Sequence, residues 1–443
     1  MKRNYLYTLY LLVALVLVIT LLVINVLPFK TLMIVVSFIL GYYVILLVLM
    51  RFKIKLRLLT LLLIGVYIFV EVQIFTIGKN LLMLNKQNSF VEVATITNKE
   101  ASIKKVGILN DYHQDYVVEY LKKYRYEYIV YQDVLTLFQD LDKQKLDAVV
   151  ATSNITSLLE EPKEYVYQNP KNYKIVKSGG NTSIDLTKDT FHIYVSGNDH
   201  YGRLLSNARS DVNMVVTVNP LKREVLMTSI PRDYYVPLAC KEGAMDKLTH
   251  SGIYGIDCTI ATVEQVLDIE MDYYARVDFS TLEHIVDTIG GIQIYSDIAF
   301  TSYPDKVKFE QGLQIVDGKK ALAFARERKA YVDGDGMRVV NQQAVLRAII
   351  EKLRNPLVFF QFNRILDIVS LEMDTNMPTS KMTQAIKLGF SSMLDKWHID
   401  TQSLYGSDAR GKTYSIGNQE VYIMKPDKAS IEQAKMKIKE ISQ

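Results

Sequence analysis

Three long apolar stretches open the chain. No residue from Leu6 to Leu27 is charged, none from Thr31 to Met50, and between Leu58 and Gly78 the only charge is Glu71. Each stretch is about 20 residues, the length an α-helix needs to cross a bilayer core. The pattern predicts a transmembrane anchor over residues 1–79, with helices at about 6–27, 31–50 and 58–78. The first stretch is longer than the apolar part of a signal peptide, and no small-residue cleavage site follows it, so it is expected to be retained. Farther along, the apolar positions recur with shorter periods. Lys105–Leu109, Tyr126–Tyr131 and Leu146–Thr152 read as strands, Gln114–Lys123 and Val134–Leu141 as helices. Together they predict a small α/β accessory domain within residues 80–185. Asn80–Lys104 and Lys177–Lys188 are polar and irregular, and read as linkers.

From residue 186 to residue 443 the pattern strengthens. Phe191–Val195, Val212–Val218 and Glu224–Ser229 read as strands, the last two joined by a turn at Asn219-Pro220-Leu221-Lys222. Helices are expected around Thr259–Leu267 and Thr281–Ile289. Gly290-Gly291 then breaks into a strand at Ile292–Tyr295. Strong helices follow at Gly318–Arg328 and Arg338–Arg354. The predicted fold is a three-helix membrane anchor plus exterior α/β domains, the larger one a mixed β-sheet sandwiched by helices.

Charge adds orientation. Lys2 and Arg3 precede the first apolar stretch, and Arg51, Lys53, Lys55 and Arg57 fill the second link, whereas the first link carries only Lys30. Basic residues concentrate on the cytoplasmic side. The N-terminus is therefore expected inside and everything beyond Lys79 outside. Glu71, within the third stretch, either has an intramembrane role or is protonated or reaches the outer interface with Gln73. Over the whole chain, Lys+Arg is 52 and Asp+Glu 48, a net charge of +4, too small to argue for nucleic acid as a direct partner. The two cysteines, Cys240 and Cys258, are either bonded outside the cell or left as two thiols in a core.

A charged cluster carries the chemistry. Asp199 follows the first strand of the larger domain, Arg209 and Asp211 precede the second, and Arg232 and Asp233 follow the third. If the three strands are antiparallel neighbours, these five groups meet at one sheet edge. Arg326 and Arg328 close one predicted helix. Arg338 and Gln342 lie one turn apart at the start of the next, above the apolar face Val345, Ile349 and Leu353. Guanidinium groups grip phosphate oxygens in bidentate fashion, and aspartates suit Mg²⁺ arriving with phosphates. The set suits a diphosphate–metal substrate. The alternative is a group of surface salt bridges.

The segments Ala208-Arg209-Ser210-Asp211, Ile230-Pro231-Arg232-Asp233, Gly290-Gly291, Phe324-Ala325-Arg326-Glu327-Arg328 and Gly334-Asp335-Gly336-Met337-Arg338, followed by Asn341-Gln342-Gln343, resemble the LytR-CpsA-Psr family from about Phe191 to Arg354. Three spans and an accessory domain resemble its capsule-associated, streptococcal CpsA-type branch. The resemblance implies a Gram-positive envelope ligase, moving capsular polysaccharide or a related glycopolymer from a polyprenyl diphosphate carrier to peptidoglycan with Mg²⁺ at the diphosphate. It implies Asp199 and Asp211 as metal carboxylates. Arg209, Arg232, Arg326, Arg328, Arg338 and Gln342 would hold the diphosphate, with Asp199, Arg209, Asp211 and Arg232 as catalytic groups and an apolar pocket for the polyprenyl tail. Asp199 or Asp233 would accept the proton of an attacking sugar hydroxyl. The family often has Arg where this chain has Asn341. Membrane lipid and other capsule-assembly membrane proteins are the further partners expected. Two other readings stay open: a membrane regulator that attenuates transcription of envelope genes, and a non-catalytic lipid- or glycan-binding scaffold.

Overall fold

The computed structural model describes the chain except residues 1–4, 25–28, 52–56, 85–88, 99–101, 111–113, 154, 160–163, 176–178, 199–207 and 332–333. The basic residues Lys2, Arg3, Lys53 and Lys55, on which the expected orientation rests, lie outside the described residues. Three helices are long and apolar enough to cross a membrane: α1 (Tyr5–Ile24), α2 (Phe29–Arg51) and α3 (Arg57–Leu84). They share an apolar cluster that includes Leu17, Leu46 and Ile64. Two pairs of polar groups inside the bundle meet one another, as lipid favours. Tyr10 and Tyr67 join hydroxyls at 3.1 Å, and the Thr20 hydroxyl donates to Glu71 Oε1 at 2.6 Å.

The accessory domain is a five-stranded sheet in the order β3-β2-β4-β1-β5. Its elements are β1 (Ser89–Thr97), β2 (Lys105–Leu109), α4 (Gln114–Tyr124), β3 (Glu127–Tyr131), α5 (Val134–Asp142), β4 (Ala148–Thr152) and β5 (Val166–Ile175). Here the expected linker over Asn80–Lys104 is corrected. α3 continues to Leu84, and β1 pairs with both β4 and β5. Its alternating apolar residues Val91, Val93 and the buried Ala94 and Ile96 are short of flanking turn signals, which hid the strand in a polar setting.

The larger domain is built on a six-stranded mixed sheet in the order β16-β11-β6-β7-β8-β17. β6 (Phe191–Asn198), β7 (Val212–Asn219) and β8 (Glu224–Ile230) form the expected antiparallel series. A hairpin of β9 (Tyr235–Pro237) and β10 (Met245–Lys247) leads into α6 (Leu248–Ser251) and α7 (Ile256–Leu267). β11 (Tyr273–Asp278) runs parallel to β6 and feeds α8 (Phe279–Thr288). β12 (Ile292–Ser296) pairs with β15 (Gly312–Val316), and the short β13 (Phe300–Thr301) with β14 (Lys308–Phe309). Then come α9 (Gly318–Arg326), α10 (Gly334–Leu353), α11 (Phe362–Glu372), β16 (Asp374–Thr375), α12 (Thr379–Leu394), β17 (His398–Ser403), the hairpin β18 (Gly406–Lys412)–β19 (Glu420–Pro426) and α13 (Lys428–Ser442).

Alternation along the strands divides the core. Tyr194, Val215 and Leu226 pack with Val263 of α7 and Ile438 of α13 on one face. Ile193, Val216 and Met227 pack with Leu346 of α10 and Leu388 of α12 on the other. The sheet is thus sandwiched by helices, as expected. Cys240 and Cys258 are bonded, with Cα atoms 5.2 Å apart.

Candidate functional site

Antiparallel pairing brings the ends of β6 and β8 beside the start of β7. Gly197 pairs with Val212 and Asn213 with Ile230. Continuing that register by one or two residues sets Asn198 opposite Asp211 and Asp211 opposite Arg232. On the far side Asn198 pairs with Asp278, the last residue of β11. Asp278, Asn198, Asp211 and Arg232 therefore form one row along the sheet edge, and cross-strand partners point to the same face.

This row is buried and strongly polar. The Arg232 Nη1 donates to Asp211 Oδ1, its Nε lies 3.4 Å from Asp233 Oδ2, and Lys247 Nζ lies 3.2 Å from Asp233 Oδ1. The Thr249 hydroxyl donates to Asp211 Oδ1 at 3.4 Å. Burial pushes the Asp233 carboxyl up, but the charges of Arg232 and Lys247 outweigh it and hold the group below the usual carboxylate range. Behind the row, Asp246 receives the Ser415 backbone N–H at 2.8 Å and pairs with His250 Nδ1 at 2.6 Å, fixing the segment that carries Lys247 and Thr249.

Several buried atoms in the row have no hydrogen-bond partner among the described residues. They are Asp211 Oδ2, Asp278 Oδ2 and both side-chain polar atoms of Asn198. Buried polar groups are normally satisfied, which marks these atoms as candidates for contact with a ligand. Asp278 is otherwise fully used: its Oδ1 accepts from the Thr281 N–H and hydroxyl at 2.8 Å each and caps α8.

On the opposite sheet face an apolar cavity of about 120 Å³ opens at the same edge. Val195, Met214, Leu282, Leu322, Val345 and Ile349 wall it, while Asp278, Arg326 and Gln342 supply its polar groups. The Arg326 guanidinium lies 4.4 Å over the Phe279 ring and 3.8 Å from Asp305. A second cleft of about 520 Å³ is lined by Arg232, Asp233, Gly336, Met337, Arg338 and Tyr405. Arg338 and Gln342, one turn apart on α10, thus face two neighbouring cavities.

The expected set is partly assembled. Asp211, Arg232 and Asp233 meet as predicted, with Arg338 beside them and Arg326 and Gln342 at the apolar cavity. Arg209 is half-buried next to Ser210, whose hydroxyl lies 2.9 Å from that of Tyr194. Arg328 lines neither cavity. Its backbone N–H donates to Glu327 Oε1 at 2.9 Å, and the buried Glu327 also holds the Tyr303 N–H at 2.7 Å. Asp199 lies outside the described residues. α10 begins at Gly334, not Arg338, so its first turn offers Gly336 and Met337 to the second cleft and Arg338 sits one turn in. α9 ends at Arg326, in keeping with the expected unwinding between Arg326 and Arg328. Asn341 donates to the Phe324 carbonyl at 3.0 Å, which ties α10 to α9. Asn198, Lys247, Thr249, Asp278 and Phe279 belong to the site but escaped sequence reasoning. Only Asp278 carried a local signal, an Asp three residues before Thr281 that reads as a helix N-cap.

Among the described residues, no three His, Cys, Asp or Glu side chains gather as a metal cage. The donor chemistry still suits Mg²⁺, which takes one or two carboxylates with phosphate oxygens, because Asp211, opposite Asn198 in the row, has a buried oxygen with no partner among the described residues.

The LytR_cpsA_psr family model matches residues 150–440. TagU of Bacillus subtilis (strain 168), a polyisoprenyl-teichoic acid–peptidoglycan teichoic acid transferase, is 37% identical over 196 residues, covering 44% of this chain and 62% of TagU. TagV of the same organism, with the same description, is 30% identical over 270 residues, covering 59% of this chain and 66% of TagV. The matches thus span a little under two thirds of each relative. Among solved structures, protein gbs0355 from Streptococcus agalactiae superposes with a TM-score of 0.50 at 25% sequence identity, covering 57% of this chain and 88% of that chain.

Proposed function

The chain belongs to the LytR-CpsA-Psr family, and from that premise we propose that it transfers an envelope glycopolymer from a polyprenyl diphosphate carrier to peptidoglycan on the outer side of the membrane. One observation supports this most: an apolar cavity, bordered by Arg326, and a polar row of Asp278, Asn198, Asp211 and Arg232, with buried oxygens unpartnered among the described residues, lie at the same sheet edge. The cavity suits an isoprenoid tail. Its rim suits two phosphates.

In this reading the tail lies between Met214, Leu282 and Ile349, with Arg326 and Gln342 at the diphosphate. Arg232 and Arg338 approach from the second cleft. Charge-assisted bonds from guanidinium groups stabilise the negative charge that grows on the leaving group. Asp211, with Asp199, would hold Mg²⁺, which when bound would neutralise diphosphate charge. A sugar hydroxyl of peptidoglycan attacks the phosphorus that bears the glycan. The bond from that phosphorus to the bridging oxygen breaks, and polyprenyl monophosphate leaves, its phosphate taking up the proton of the hydroxyl. Asp233, held ionised between Arg232 and Lys247, is a poor proton acceptor. Its work is to hold those two cations in place.

The polymer is a capsular polysaccharide or a related chain; the names of the relatives favour the teichoic acid type. The full chain in nanodiscs, given polyprenyl diphosphate-linked glycan, peptidoglycan fragments and Mg²⁺, should yield glycan–peptidoglycan and polyprenyl monophosphate. Release of polyprenyl diphosphate would mean attack at the sugar carbon instead. No linked product with either polymer class would overturn the reading.

A further inference from the structure

The third membrane helix is joined to the domain it carries below the level of the membrane surface. Three contacts climb along α3 and α11 together. Asn363 Nδ2 donates to Gln73 Oε1, Ile77 packs with Leu366 and Met382, and Asn80 Nδ2 donates to Asp367 Oδ1 at 2.6 Å. Since both residue numbers rise in step, α11 runs in the same direction as α3. Counted from Leu58 at 1.5 Å per residue, a hydrocarbon core about 30 Å thick ends near Ile77. Gln73 lies four residues earlier, about 6 Å inside the core, and Asn363 lies beside it. A direct bond between the two amides is favoured at such a depth, because no water satisfies polar groups there.

The chain leading into α11 is Asn355-Pro356-Leu357-Val358-Phe359-Phe360-Gln361-Phe362, with no charge between Arg354 and Arg364. Its 3-10 turn spans Pro356–Gln361. Val358 is buried in the core with Ile349 and Ile365, whereas Leu357 is 70% exposed. Arg364, also exposed, stands where a long basic side chain can reach the headgroups.

We propose that Pro356–Gln361 and the first turn of α11 form a foot that sits among the lipid acyl chains of the leaflet into which α3 emerges. The depth of Gln73, the shared direction of the two helices and the uncharged segment carry the argument. Ile365 and Val369 of α11 pack with Leu282 and Ile285 of α8, and Leu282 walls the apolar cavity. On the proposed transfer reading the foot therefore holds the carrier's tail site next to its lipid source, but the insertion itself does not depend on that reading.

Both native cysteines are bonded, so a single new thiol can report depth. The full chain with Leu357→Cys carries an environment-sensitive nitrobenzoxadiazole label in phosphatidylcholine–phosphatidylglycerol vesicles. Acyl-chain doxyl lipids should quench this label several-fold more than one at Leu371→Cys, the 76% exposed position beyond Asp367 on α11. Aqueous iodide should do the reverse. Arg364→Cys reads the same layer near the headgroups should Leu357→Cys not fold. Equal access of iodide to residues 357 and 371 would overturn the foot. So would a label shielded from both quenchers, which would mean that protein covers it. Neither readout involves transfer activity.

Discussion

Asn198 and Asp278 are register partners at the ends of two parallel strands, both at most 2% exposed, and each keeps a side-chain oxygen without a hydrogen-bond partner among the described residues. A structural pair in that place would be satisfied. Neither the oxygen nor the nitrogen of Asn198 has a hydrogen-bond partner among the described residues. The pair lies in line with Asp211 and Arg232, and Asp278 borders the apolar cavity. On the proposed function these atoms would face a diphosphate-bound ion or an incoming sugar hydroxyl.

This separates stability from activity. Removing unsatisfied buried atoms costs little, so Asn198→Ala should leave the thermal midpoint unchanged or raise stability by up to about 1 kcal/mol. Transfer by the same variant should fall at least about tenfold. Asp278→Asn keeps the Oδ1 cap and should behave likewise, while Asp278→Ala also loses about 1 kcal/mol of capping. Paired melting curves and transfer rates decide it. Full activity in Asn198→Ala removes that residue from the site.

Arg326 and Arg328 should differ sharply. Arg326 borders the cavity with its guanidinium over Phe279. Lys copies neither the stacking nor the bidentate fork. Losing one charge-assisted contact of roughly 1.5–3 kcal/mol should weaken polyprenyl diphosphate binding by about tenfold to a hundredfold in Arg326→Lys. Arg328 lines neither cavity, and Arg328→Lys should bind within about threefold of the parent chain. Titration of the lipid into both variants checks the order. The reverse order would place Arg328 at the diphosphate.

Much of this site was legible because antiparallel pairing is a local rule. Once Val212–Val218 and Glu224–Ser229 are strands with a short turn, Asp211 and Arg232 must meet. The missed parts needed nonlocal information. β11 is parallel to β6, so its partner is more than seventy residues away and no turn announces it. Asp278 could not be placed beside Asn198 without it. Lys247 and Thr249 reach the row through the β9–β10 hairpin, whose strands are three residues each and too short for a period to show. The whole C-terminal part after Leu353 was unread, although β17 completes the sheet edge and α13 covers a face. β18 is mostly exposed and polar, so no strand period shows there.

The Cys240–Cys258 bond closes a loop with a sequence separation of 18 residues. It ties the 3-10 turn Ala239–Lys241 to α7, which covers the sheet face below the row. Closing a loop of that length restricts the unfolded chain by about 3 kcal/mol. The double variant Cys240→Ser, Cys258→Ser should melt several degrees lower. Dithiothreitol should lower the parent chain to the same point and leave the double variant unmoved. A midpoint that ignores the reductant in both would show that the bond constrains nothing.

Asp246 sets an acid limit on the same region. It is fully buried on β10, bonded to His250, Ser415 and the Lys247 N–H. Burial pushes its carboxyl up, but the charge of His250 and the hydrogen bonds from His250, Ser415 and Lys247 outweigh this and hold it below the usual carboxylate range. A carboxyl with a lowered folded pKa stabilises the fold at every pH above its unfolded value, near 3.9, and loses that contribution as pH falls through the folded value. Asp246→Asn should therefore melt a few degrees below the parent chain at pH 7, where the buried network loses its charge-assisted bonds. The gap should begin to narrow as pH drops below about 4, where the unfolded carboxyl takes up its proton, and should close only once pH falls through the lower folded value. Lys247 and Thr249, which reach Asp233 and Asp211, stand on this segment, so transfer by Asp246→Asn should fall at pH 7 even at temperatures well below its midpoint. Thermal midpoints of both chains from pH 3 to pH 7 test the sign. A gap that widens on acidification would mean that Asp246 is held above its unfolded pKa, with burial winning over His250.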